Sequence, residues 1–143
     1  MKNDSMESYR STDPEFMERF EHFAFDEAVN EPDARLDERT RYMAVLAALM
    51  GCQGKEAFAL MLPKALDGGL TPVEVKEIVY QAADYIGFGR MLPFLDIVNN
   101  ELTRTGIALP LEGQSTTGMD DRLEKGAEAQ AEIFGEHMKE AWK

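Results

Sequence analysis

Cysteine, histidine and positive charge are all scarce in this chain, and each shortage removes a class of function. Cys52 is the only cysteine, so neither an intrachain disulfide nor a cysteine-based zinc site can form. An isolated thiol is either a small hydrophobe in the core or a reactive group. The two histidines, His22 and His137, stand far apart in the sequence on opposite ends of the chain. Neither belongs to a ligand-spaced cluster, so no metal and no cofactor are expected. Fifteen Lys and Arg face 27 Asp and Glu, giving a net charge of −12. Phosphate backbones and anionic membrane surfaces attract clustered cations, so nucleic acid and membrane are excluded as partners. A small anionic molecule is not excluded, because one local arginine outweighs a distant negative field.

Long apolar runs are missing too. Nothing approaches the ~20 residues that cross a bilayer, and MKNDSMESYRSTDPE at the start lacks the apolar core of a secretion signal. A cytoplasmic location is the expectation. Alternation of period two is absent throughout, which excludes half-buried strands. The chain is expected to be all-α, a compact bundle of about six helices. At 143 residues it is long enough to bury roughly two-thirds of its unfolded surface.

The helices can be read from their caps and stripes. Residues 1–12 are polar and are expected to be disordered. Asp13-Pro14 opens a first helix, where proline's missing N–H costs nothing, and Phe16, Phe20, Phe23 and Phe25 give it a large apolar surface. Asp37 caps a second helix. Its core segment, Tyr42 to Met50, is apolar on every side, which predicts a central buried helix. Lys55 to Asp67 forms a third, with a kink or irregular turn expected at Pro63, and Gly68-Gly69 ends it. Thr71-Pro72-Val73-Glu74 is a capping box, Thr71 accepting from the Glu74 N–H and Glu74 reaching back. Val75, Ile78, Val79, Ala82 and Ile86 make the apolar stripe of the fourth helix, and Gly87 closes it. A fifth runs to about Thr105, with Pro93 in its first turn. A linker, 107–119, and a last amphipathic helix in 120–143 follow, with Trp142 near its end.

Chemistry-bearing residues are few. Glu77, Gln81 and Asp84 share one face of the fourth helix with Tyr85 beside them. A carboxylate bordering apolar surface can serve as an acid or base, so Glu77 is the candidate catalytic acid/base and Gln81 and Tyr85 its orienting neighbours. The competing reading is a solvated face that fixes a packing angle. Arg41 and Arg90 can each pair with a ligand carboxylate, the competing reading of Arg41 being a helix-dipole or inter-helix ion pair.

Several short patterns occur in a set order: Asp37-x-x-x-Arg41, Ala65-Leu66-x-x-Gly69-x-Thr71, Glu77-x-x-x-Gln81 and Tyr85-x-Gly87. Over about Leu36 to Gly106 the chain thereby resembles the carboxymuconolactone decarboxylase family, which includes the alkyl hydroperoxidase D-like proteins. The resemblance implies the alkyl hydroperoxidase D-like helical fold and a homo-oligomer, often a trimer or hexamer. It also implies one of two reactions: a carboxy-lyase reaction on a small carboxylated lactone or aromatic-derived compound, or a peroxiredoxin-type activity. The redox branch places Glu, Cys-x-x-Cys and His where this chain has Tyr42, Gly54, Ala57 and Met61, and the family's usual proline after Tyr85-x-Gly87 is replaced. Hydroperoxide reduction would have to use Cys52 alone or with an external thiol. A non-catalytic binding or assembly role is the remaining alternative. The opening of residues 120–143 resembles the first helix of a second such unit, which implies packing on a neighbouring protomer.

Overall fold

The structure, a computed structural model, describes residues 5–32 and 36–141. Trp142 lies outside the described residues, and among those described there is no strand. The chain divides into two compact units, Met1–Leu109 and Pro110–Lys143.

The first unit begins with an arm. Helix α1 (Ser5–Thr12) occupies part of the segment expected to be disordered, tied at its C-terminal end by Arg10 paired with Glu7 and Glu21. Helix α2 (Pro14–His22) follows, runs into a π-helical turn, Phe23–Glu27, and ends in the short α3 (Ala28–Asn30). Four longer helices complete the unit: α4 (Glu38–Gly51), α5 (Lys55–Asp67), α6 (Pro72–Ile86) and α7 (Phe88–Arg104). Helix α4 packs on α5 and α6, and α7 packs on the same two. The four therefore close a ring around one core.

Sequence signals at the helix ends are realised. Asp37 accepts from the Thr40 N–H, and Thr71 and Glu74 form the reciprocal box. Gly69, at φ +98°, and Gly87, at φ +83°, supply the left-handed backbone that stops α5 and α6. Fully buried Val75 and Val79 anchor α6, and Val98 and Leu102 anchor α7. Between α5 and α7, Phe58 and Phe94 meet edge to face with centroids 5.1 Å apart at 74°.

Helix α5 carries Pro63 inside a single element. Two expectations need correction. The all-apolar α4 is not central: Leu46 and Met50 are buried, but Ala44, Ala47 and Ala48 face outward. Helix α7 begins at Phe88, so Pro93 sits past its first turn. Gly87 closes α6 and starts α7 without an intervening loop, which shifts the start upstream.

Gly68 has a different task from its neighbour. Its φ is −79°, which any residue adopts, but an added Cβ would sit 2.5 Å from the ring of Tyr42 and 3.1 Å from the Lys64 carbonyl. The missing side chain makes room for that ring. Gly68→Ala is expected to cost about 1–3 kcal/mol by overpacking. Gly69→Ala, with nothing within 4 Å, is expected to cost about 1–2 kcal/mol from backbone strain alone. Adding Tyr42→Leu should rescue the first and not the second in urea unfolding. A Gly68→Ala variant more stable than the parent would refute the packing account.

The second unit, described by itself, has no helix before Arg122. The Gly118 N–H donates to the Asp121 carboxylate at 2.6 Å, in the turn that leads into α8 (Arg122–Phe134). Gly135, at φ +102°, ends that helix, and the short α9 (Met138–Ala141) follows. Leu123, Ile133 and Phe134 of α8 are exposed.

Candidate functional site

The N-terminal end of α4 is fixed by its cap, and the cap sets which side chains point where. Asp37 accepts from the Thr40 hydroxyl at 2.6 Å and from the Thr40 N–H at 3.0 Å. These two bonds, the hydroxyl's first, hold the Asp37 carboxyl below its ordinary range. The cap is thus complete above the unfolded carboxylate pKa and is lost as pH falls through the lowered folded value.

One helical turn on, Glu38, Arg41 and Tyr42 fall at i, i+3 and i+4 and share a face. The Arg41 guanidinium lies 3.9 Å from Glu38 and 5.7 Å from the Tyr42 ring centroid. A pair that loose contributes little, so the cation keeps capacity for another anion. Its side chain is 27% exposed. The Tyr42 ring is backed by Gly68.

These three groups line a cavity of 420 Å³ formed by α4, α5 and the arm. Val45, Leu49, Ala57 and Met61 make its apolar floor, and Phe20 and Phe25 of the arm make its far wall. Glu38, Arg41 and Tyr42 are the ionisable side chains among the lining residues. Of the four positions matched to the redox branch's Glu, Cys, Cys and His, three (Tyr42, Ala57 and Met61) line this one cavity. None of these three is a thiol, a carboxylate or a histidine.

The residues singled out on α6 lie elsewhere. Gln81 and Tyr85 line a second concavity, a 530 Å³ groove between α4 and α6 whose other walls include Met43, Ala47, Ile78 and Ala82. Tyr85 is 90% exposed. Glu77 is half-buried and is not among the residues lining that groove. Thr40, the remaining polar lining residue, already donates to Asp37. Gln81 and Tyr85 thus share the groove, and no Asp or Glu is among its lining residues.

Cys52 is exposed at the end of α4, and its thiol points to the Leu49 carbonyl at 3.5 Å. It lies outside both concavities. His22 pairs with Glu27 at 3.1 Å and with Asp26 at 3.8 Å on the exposed side of the arm. Arg90 is exposed on α7. Among the described residues no group of three His, Cys, Asp or Glu could hold a metal ion, and no helix is long and apolar enough to cross a membrane.

The sequence offers Arg41 both as a carboxylate partner and as an ion pair, and does not show the cavity around it. Its far wall comes from Phe20 and Phe25, whose placement is a long-range contact with no local signature.

With this geometry in place, the family model described as the carboxymuconolactone decarboxylase family matches residues 14–100 of the chain. The match takes in α2, α4 and α5 and thus both walls of the cavity. Neither the curated proteins nor the solved structures gave a match to the chain.

Proposed function

Because this chain belongs to the carboxymuconolactone decarboxylase family, we propose that it is a thiol-independent carboxy-lyase-type enzyme whose substrate, a small carboxylated lactone or aromatic-derived compound, sits in the cavity of α4, α5 and the arm. The observation that carries this reading is the convergence of Glu38, Arg41 and Tyr42 on an otherwise apolar space. Few polar groups in an apolar pocket of this size are what a small-molecule site requires.

Decarboxylation breaks the bond to the carboxylate carbon and leaves its electron pair on the substrate as an enolate. The substrate carboxylate is held by Arg41 over the apolar floor of Val45 and Leu49, where it sheds hydration before it departs as carbon dioxide. Arg41 then pairs with the enolate oxygen, where the negative charge develops. The Tyr42 hydroxyl then gives a proton to the carbanion carbon and recovers one from water. No thiol is needed at any step.

The homo-oligomer, trimer or hexamer, is part of the same proposal. Its support is the outward apolar face of α4 and the apolar groove between α4 and α6, surface that a second copy would cover. Cytoplasmic location is retained with it.

Arg41→Gln tests the assignment. The expected result is a 10- to 100-fold loss of affinity for carboxylated ligands, roughly the worth of a charge-assisted hydrogen bond, with the fold unchanged by circular dichroism. Undiminished binding to the Arg41→Gln variant would remove the cavity from consideration.

A further inference from the structure

We infer that Phe20 and Phe25 of the arm make the cavity selective for planar aromatic carboxylates over saturated ones, with Lys64 acting as the positioning residue for Phe25. The inference deepens the reading of the cavity as a carboxylate site and rests on it.

The two rings are built into the wall. An α-helix sets residues five apart about 140° from each other, which would send Phe25 away from Phe20. The π-helical turn Phe23–Glu27 widens the spiral to i→i+5. Phe25 accordingly comes back to Phe20, with centroids 6.1 Å apart and planes at 85°. The pair offers a ligand two ring surfaces at right angles.

Each ring is also braced from outside the cavity lining. Phe16 stacks on Phe20 at 6.0 Å and 12°. Lys64 of α5 places its ammonium 4.7 Å from the Phe25 centroid, a cation–π contact that ties the arm to the bundle. Neither Phe16 nor Lys64 lines the cavity. Their role is to hold the wall and not to touch the ligand.

Arg41, on the α4 side, fixes the anionic end of the ligand, which leaves its body against the aromatic wall. A flat ring gains offset or edge-to-face contacts there. A puckered saturated ring of equal size and charge gains only apolar burial. At 420 Å³ the space accepts one or two fused rings.

Titration calorimetry on the full chain separates the possibilities, with benzoate and cyclohexanecarboxylate as probes of matched charge and size. Benzoate is expected to bind about 2- to 10-fold more tightly, the range that aromatic pairing supplies beyond burial. Phe25→Leu should bring the ratio close to one, weakening benzoate more than cyclohexanecarboxylate. Lys64→Met, which touches no ligand, should lower the ratio part of the way, and Arg41→Gln should weaken both probes alike. Equal binding of the two probes, still dependent on Arg41, would overturn the aromatic selectivity and leave the carboxylate site standing. Binding independent of Arg41, or no binding of either probe, would overturn the site itself.

Discussion

Phe94→Ala is expected to lower the stability of this protein by about 3–5 kcal/mol, a large part of the roughly 5–15 kcal/mol that a domain possesses. Phe94 and Phe58 are wholly buried and meet edge to face where α5 packs on α7. Truncation removes the transfer energy of the ring, the aromatic pairing and the contacts of atoms that cannot close the void. For a chain of this length the loss corresponds to a fall in Tm of about 6–20 °C. Phe88→Ala, on the same helix, is the comparison. Phe88 is 65% exposed, so in an isolated chain its removal should change stability by about 0.5 kcal/mol or less. If a second copy covers Phe88, its effect will grow with protein concentration while that of Phe94 will not. A Phe94→Ala variant within about 1 kcal/mol of the parent, by urea unfolding at constant slope, would contradict the core described above.

The contrast between those two phenylalanines also marks what the sequence can specify. Caps are local: Thr71 needs only Glu74 three residues on, and Asp37 only Thr40, so both are legible in the chain alone. Helix stops at Gly69 and Gly87 are legible for the same reason, since a left-handed backbone leaves glycine as its trace. Burial is not local. Helix α4 is apolar all round, and that pattern is the same whether the second face meets its own core or another molecule. The structure places Leu46 and Met50 inward and leaves Ala44 and Ala47 outward, a division that small residues do not encode. The arm is a sharper case. Its phenylalanines announce that α2 must dock somewhere, but the π-helical turn that returns Phe25 to Phe20 has no signature in FAFDE. The cavity wall is therefore invisible in the sequence. On α6 the spacing of Glu77, Gln81 and Tyr85 suggested one functional face. Helical spacing fixes only neighbourhood on that helix, and the opposing surface decides which neighbours share a cavity.

That reassignment makes Tyr42→Phe the most informative change at the site. The variant is expected to bind substrate as the parent does and to lose about 10²- to 10⁴-fold in turnover, the usual worth of a positioned proton donor. Only the hydroxyl is removed, so the ring keeps its place against Gly68 and beneath Arg41. Affinity and fold should accordingly be preserved, and the effect should fall on kcat and not on KM. Carbon dioxide release from a panel of carboxylated lactones and aromatic carboxylates is the readout. Glu38 is the carboxyl group in the lining, so Glu38→Gln is the necessary companion. Loss of turnover in Glu38→Gln with retention in Tyr42→Phe would transfer the donor role to Glu38. Glu77→Ala and Cys52→Ala should both retain turnover, because neither residue lines the cavity. Hydroperoxide reduction by the parent chain that Cys52→Ala abolishes would restore the thiol reaction. Gly68→Ala offers an independent check, because it displaces the Tyr42 ring without altering any polar group. If the hydroxyl must be held at one point over the floor of Ala57 and Met61, this variant will lose kcat by more than its loss of stability explains.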